Sequence, residues 1–205
     1  MPVPDLQAII LDDAFQHRTI RAGFNILLTE YGNLYSNDFF LPTGDLRDEW
    51  ASAKRAQVIV VTKCPYNLTA EMRQAMIRDL QPEAAQKVFF STIEYGTPYH
   101  IVDTTDNWLL TPRDEVLLVC GIANPEPLKE YLNEIVANFE NIRAKDKLIL
   151  TTEKDAVRLI KFSEQLTHLP LYVLPIQHYF LFDEGEQFNE LVKDFIRNFH
   201  FNPAT

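Results

Sequence analysis

The chain has 205 residues, 46% of them hydrophobic and 23% charged, which is apolar material for one full-sized core or two small ones. Its 29 acidic and 19 basic residues leave a formal net charge of −10, which argues against a general nucleic-acid binder, because such a protein carries a basic face. Two cysteines, Cys64 and Cys120, are too few for a disulfide framework or a cysteine-rich zinc site, and they read as buried thiols of a reducing compartment.

Met1-Pro2-Val3-Pro4 makes an abrupt start just ahead of a core strand, which raises the expectation of a missing upstream part. Ala8-Ile9-Ile10-Leu11 is a short unalternated apolar run, the pattern of a strand buried on both faces of a parallel sheet. It ends in Asp12 and Asp13, with Gln16 and His17 close behind. Ligands of open α/β sheets bind beyond the carboxyl ends of the strands. Two adjacent carboxylates there call for a cation or donors to hold both ionised, and a hard ion such as Mg²⁺ prefers oxygen ligands. The plainer alternative is that the pair opens a turn or caps a helix. His17 is likewise open between a phosphate donor or proton relay and a packing histidine.

Phe24 to Thr29 is expected as a second strand, and a helix is expected from Asp45 to about Ala56 after the Pro42-Thr43-Gly44 turn. Val58 to Val61 follows as a buried strand, then an amphipathic helix from Thr69 to Leu80 with Met72, Ala75, Met76 and Leu80 on its core stripe. Val88 to Ile93, Tyr99 to Val102 and Trp108 to Leu110 are short β-like runs, read as a small mixed-sheet insertion or a sheet edge near a domain seam. His100 within them reads as a structural residue. Val116 to Gly121 restores the buried-strand pattern, and a helix is expected from Glu126 to Val136.

Lys147 to Thr151 is the next strand, with a helix from Thr152 to Phe162. Thr152 with Asp155 approximates a capping box, while a helix start after a parallel strand is also an anion site, to which Lys154 adds charge. Leu171 to Leu174 and Tyr179 to Phe182 are β-like, and an amphipathic helix runs from Glu186 to about Phe199. Strands alternating with helices predict an α/β fold with a mostly parallel sheet flanked by helices and a small mixed β segment. The motifs divide the chain into a core segment 1–87, a β-rich insertion or linker 88–115, and a second α/β segment 116–205. No apolar run approaches the roughly 18 residues of a spanning helix, and no signal-peptide pattern precedes the first strand. The Asn67-Leu68-Thr69 sequon finds no other sign of secretion, so a cytoplasmic protein is expected.

Asp12-Asp13-Ala14-Phe15-Gln16-His17-Arg18 resembles the D-D-G-F-Q-H-R signature of the bacterial tetraacyldisaccharide 4'-kinase (lipid A 4'-kinase) family. Leu41 to Asp48 (L-P-T-G-D-L-R-D), Gly121 to Pro125 (G-I-A-N-P) and Thr151 to Ala156 (T-T-E-K-D-A) match further segments in the same order. The resemblance implies a P-loop-NTPase-like α/β fold and ATP- and Mg²⁺-dependent phosphorylation of the 4'-hydroxyl of an acylated disaccharide phosphate lipid. It implies work at the cytoplasmic face of the inner membrane, without nucleic acid. Asp12, Asp13, Gln16 and His17 are then the catalytic group. Gly44, Arg47, Asn124, Thr152, Glu153, Lys154 and Asp155 contact substrate or phosphate, and Asp48, where the family more usually has Glu, joins Asp12 and Asp13 toward the metal.

The chain departs from the family in several places. None of its six glycines belongs to a G-x-x-x-x-G-K-[ST] phosphate loop. The family's N-terminal membrane-associating helix is absent, and the span from Tyr131 to Lys147 holds no His-His pair. Ala14 replaces a glycine, a mild change unless that position needs positive φ. The expectation is a C-terminal portion of such a kinase, inactive without its phosphate loop and meeting the membrane through parts missing from this chain. A non-catalytic acyl-sugar or partner-binding module and a metal-dependent hydrolase are the alternatives.

Overall fold

A computed structural model describes residues 7–17, 19–38, 50–121 and 147–199. In chain order these form β1 (Ile26–Glu30), a 3-10 segment (Trp50–Arg55), β2 (Val58–Thr62), α1 (Ala70–Leu80), β3 (Lys87–Tyr95), β4 (Tyr99–His100) and β5 (Glu115–Val119). There follow β6 (Lys147–Thr152), α2 (Glu153–Leu159), a second 3-10 segment (Ile160–Phe162), α3 (Ser163–Leu166), β7 (Leu171–Leu174), β8 (Ile176–Phe180) and α4 (Gly185–Asn198). The helix expected from Glu126 to Val136, and the start of the one expected from Asp45, lie outside the described residues. Packing divides the chain into two compact units, residues 1–93 with 178–205 and residues 94–177.

The first unit is built on a sheet of order β1-β2-β3-β8, in which β1-β2 and β2-β3 are parallel. The period of two along a strand sends Val58 and Val60 to one face and Ile59 and Val61 to the other. Ile59, Val61 and Phe90 pack with Met76 and Leu80 of α1. Val58, Val60 and Phe89 pack with Phe188 and Leu191 of α4, where the Phe180 and Phe188 rings stack with centroids 4.5 Å apart. Both faces of β2 are thus covered by helices, which is why its sequence is apolar without alternation. Thr69 caps α1 by accepting the Met72 amide at 3.3 Å. Met76 is core as expected, but Met72 is exposed, because its position in the first turn lies off the sheet. The run from Val88 is not part of an insertion: β3 is a member of the first unit's parallel sheet, and the seam falls at its far end.

The second unit has the sheet order β4-β7-β6-β5, parallel from β5 to β7, with β4 antiparallel on β7. Ile149, Leu171 and Val173 form a core with Leu159 and Leu166 from α2 and α3. On the other face Leu148, Leu150 and Tyr172 pack with Trp108. β5 departs from the buried pattern expected of it. It is an edge strand of the described sheet, and Leu118 is 60% exposed while Val119 is buried. Cys120, expected to be buried, is exposed just past that edge, whereas Cys64 is buried with its thiol donating to the Val61 carbonyl at 3.4 Å. Burial pushes the Cys64 thiol up to about 11.

His100 is structural, as expected. Its Nδ1 accepts the Val102 and Asp103 amides at 3.3 and 3.2 Å, which leaves Nε2–H to donate to the Leu169 carbonyl at 3.1 Å. Tyr172 packs edge-on against His100 and Trp108, and its hydroxyl donates to Asp106 Oδ2 at 2.9 Å. Burial first, and then the Asp106 carboxylate, push the Tyr172 phenol up to about 12. A raised folded-state value favours the neutral phenol. The stabilisation is therefore complete below the ordinary tyrosine range near pH 10 and is lost as pH climbs toward 12. A tyrosinate absorbance titration should show a late component near pH 12 that Tyr172→Phe removes; a spectrum unchanged by that substitution would refute the network.

Candidate active site

The Asp12–His17 segment of the first unit is a pair of tight turns, closed by the His17 amide on the Ala14 carbonyl at 3.0 Å and continued by the Ile20 amide on the His17 carbonyl at 3.1 Å. The buried strand expected ahead of it is not formed. Ala8 to Leu11 has no strand pairing, and Ile10 is 93% exposed. A strand buried on both faces needs a ladder on each edge. Among the described residues, β1 pairs only with β2, and residues 8–11 join no ladder. Asp12 and Asp13 accordingly stand on an open loop, exposed, with His17 exposed and Gln16 half-buried.

Asp13 has φ of 48°, the left-handed region that a short polar side chain tolerates. Ala14 is not among the positive-φ residues, so alanine fits the position where the family signature has glycine.

What fastens this turn comes from forty residues away. Arg55, at the end of the 3-10 segment, donates from Nη2 to the Phe15 carbonyl at 3.0 Å, and its guanidinium lies 4.4 Å from the centre of the Phe15 ring. The 3-10 segment is itself held: Gln86 Nε2 donates to the Ala53 and Ala56 carbonyls at 2.8 and 2.7 Å, and Asn25 Nδ2 to the Arg55 carbonyl at 3.4 Å. The sequence reading missed Arg55. Its only signal there was a basic residue placed three positions before a core strand.

The T-E-K-D segment lies in the second unit, where β6 hands over to α2. Thr152 Oγ1 accepts the Asp155 amide at 3.3 Å and donates to Asp155 Oδ2 at 3.0 Å. The same Oδ2 accepts the Gly121 amide at 3.0 Å, and Arg158 Nη1 lies 3.9 Å from Oδ1. Asp155 is only 4% exposed, so these donors replace the water its carboxylate has lost. Gly121 has φ of +78°, which a side chain would strain, and that is what lets its N–H turn toward Asp155. Glu153 accepts the Ile176 amide at 3.4 Å, and Lys154 is exposed. Locally, then, the motif is a capping box whose last residue also anchors the turn after β5.

Gly44, Arg47, Asp48 and Asn124 lie outside the described residues. Among the described residues no three His, Cys, Asp or Glu side chains gather into a metal-binding group. The Asp12–Asp13 pair supplies two oxygen ligands, the number that a Mg²⁺ ion commonly takes from protein when phosphate and water fill the rest. The donor chemistry therefore fits that ion.

Residues 3–144 match the family model described as tetraacyldisaccharide-1-P 4'-kinase. The chain is 42% identical over 196 residues to the tetraacyldisaccharide 4'-kinase of Flavobacterium johnsoniae, covering 86% of the chain and 57% of that protein. It is 37% identical over 212 residues to the protein of the same name from Flavobacterium psychrophilum, covering 94% and 60%. For that of Bacteroides thetaiotaomicron the identity is 34% over 231 residues, covering 95% and 60%. Among solved structures, the "apo" form of LpxK from Aquifex aeolicus in complex with ATP aligns with a TM-score of 0.51 at 18% identity, over 90% of this chain and 56% of that one. This last likeness is one of fold, and it agrees with the P-loop-NTPase-like α/β class expected from the sequence. The chain spans less than two thirds of the length of the curated relatives it matches.

Proposed function

Because the chain belongs to the tetraacyldisaccharide 4'-kinase family, we propose that the whole protein transfers the γ-phosphate of ATP to the 4'-hydroxyl of a tetraacyldisaccharide 1-phosphate. The observation that carries this reading is the ordered set of four signature segments, at Asp12–Arg18, Leu41–Asp48, Gly121–Pro125 and Thr151–Ala156. Such a transfer asks the protein chiefly to position the reactants and to offset developing charge.

Asp12, Asp13 and Asp48 are the residues that would hold Mg²⁺; the ion, when bound, would supply charge neutralisation at the phosphate oxygens. Gln16 orients this carboxylate pair, and His17 holds or relays the proton of the acceptor hydroxyl. Of the L-P-T-G-D-L-R-D segment, Gly44 allows close backbone approach and Arg47 supplies a guanidinium suited to bidentate phosphate recognition. Asn124, Thr152, Glu153 and Lys154 contact substrate or phosphate in this reading, and Asp155, bonded to the Gly121 amide and the Thr152 hydroxyl, positions Thr152. These residues do not form a nucleotide cradle of the G-x-x-x-x-G-K-[ST] kind, and no nucleotide contact is assigned to them.

No helix among the described residues is long and apolar enough to cross a membrane. Four acyl chains, at about 0.8 kcal/mol per buried CH₂, keep the acceptor lipid in its bilayer. The protein therefore comes to the lipid, at the cytoplasmic leaflet where ATP is available. The test is phosphate transfer from labelled ATP to tetraacyldisaccharide 1-phosphate in mixed micelles, using protein expressed from its complete reading frame. Label on the lipid that disappears with a Mg²⁺ chelator is expected; no transfer under any condition overturns the reading.

A further inference from the structure

The carboxylates and the imidazole assigned to phosphate transfer ride on a turn with little burial of its own. Asp12, Asp13 and His17 are exposed, and the residues ahead of them join no strand ladder. Such groups need support from a rigid element, because a misplacement of about 1 Å can cost on the order of 10²-fold in rate. Phe15 is half-buried and stands midway, two residues after Asp13 and two before His17. The Arg55 guanidinium holds it twice, by a hydrogen bond to its carbonyl and by lying over its ring. Arginine does both at once: its planar group stacks on a ring while the N–H fork reaches a carbonyl, whereas a lysine ammonium is a point charge.

Arg55 is in turn tied to the sheet of the first unit. Gln86, which donates to the Ala53 and Ala56 carbonyls, directly precedes β3. Asn25, which donates to the Arg55 carbonyl, directly precedes β1, and its own amide donates to Gln57 Oε1 at 2.7 Å. Hydrogen bonds thus run without a break from two strands of the sheet, through the 3-10 segment and the guanidinium, to Phe15.

We propose that Arg55 is a positioning residue for phosphoryl transfer: through Phe15 it fixes the turn, so that Asp13 and His17 on either side keep the geometry the reaction needs. The inference rests on the kinase reading, in which this turn carries the catalytic group. Arg55 acts through Phe15 and not on the reacting atoms.

The test compares Arg55→Gln, Phe15→Leu and the two combined, in protein from the complete reading frame. Phe15 lies on a turn outside both sheets, so Phe15→Leu answers the same question without disturbing the 3-10 segment. In hydrogen exchange read by mass spectrometry, the peptide over residues 12–20 exchanges about tenfold faster in each variant, while β2 keeps its wild-type rate. Lipid phosphorylation loses about tenfold or more in kcat, with KM for ATP and for the lipid held within about threefold, because transition-state contacts rather than binding are displaced. The double variant falls little further than the worse single one, as two halves of one contact do. Exchange over 12–20 at the wild-type rate, or faster exchange with kcat undiminished, overturns the proposal. So does β2 exchanging faster in step with the turn in both variants, which marks a loss of stability alone. A wild-type protein that transfers no phosphate is a separate failure, that of the kinase reading, and it removes the catalytic role of Arg55 whatever the exchange shows.

Discussion

Asp12→Asn and Asp13→Asn each lower lipid phosphorylation by about 10²-fold or more while leaving the melting temperature of the protein nearly unchanged. The expectation joins two facts about the turn. Both carboxylates are exposed, so their replacement removes no core packing, and Asn keeps their volume. Asp13 sits at φ of 48°, a conformation that Asn adopts as readily as Asp, whereas Ala at that position would add backbone strain to any loss of charge. Charge is therefore the property removed, and charge is what a metal-bound phosphate requires. A turn-forming role alone gives the opposite pattern, a stability loss of about 0.5–2 kcal/mol with turnover intact. Thermal melts and initial rates on both variants, in protein from the complete reading frame, separate the two; unchanged rates in both would end the functional claim for this turn.

Asp155→Ala has the largest expected effect on stability, about 1–3 kcal/mol, because two part-buried donors lose their acceptor. The carboxylate receives the Gly121 amide and the Thr152 hydroxyl, and it closes the cap of α2. Asp155→Asn keeps one acceptor oxygen and loses roughly half as much. Lys154→Ala, next in the chain but exposed, is the control and changes stability by no more than about 0.5 kcal/mol. Urea unfolding of the three variants measures this order. A midpoint for Asp155→Ala equal to that of Lys154→Ala would remove the anchoring role assigned to the carboxylate.

The sequence was informative where a segment's own residues decide its structure. The apolar runs at Val58 and Lys147 became β2 and β6, each flanked on both sides within its sheet, and Thr69 capped α1 as the side-chain chemistry dictates. It failed where the outcome depends on a neighbour. Ala8 to Leu11 and Val116 to Leu118 have the same apolarity as β2, but burial requires a partner on each side, and apolarity does not encode one. The site divides in the same way. The Thr152–Asp155 cap spans three residues and was readable, whereas the Asp155–Gly121 bond spans 34 residues and the Arg55–Phe15 bond spans 40. Their partners meet only because strands bring them together, so Arg55 looked like an ordinary surface arginine.

The order of the two units along the chain has a consequence for biosynthesis. Residues 94–177 are continuous, whereas the first unit is interrupted by them and resumes at His178. On the ribosome the inserted unit is complete once Gln177 has emerged. At that moment the first unit has β1, β2 and β3 but neither a complete β8 nor α4, so its outer strand offers unpaired backbone groups and Val58, Val60 and Phe89 lack the cover of Phe188 and Leu191. Until translation adds α4, the nascent chain carries one finished module and one open apolar sheet, the kind of surface that chaperones hold and that aggregation exploits.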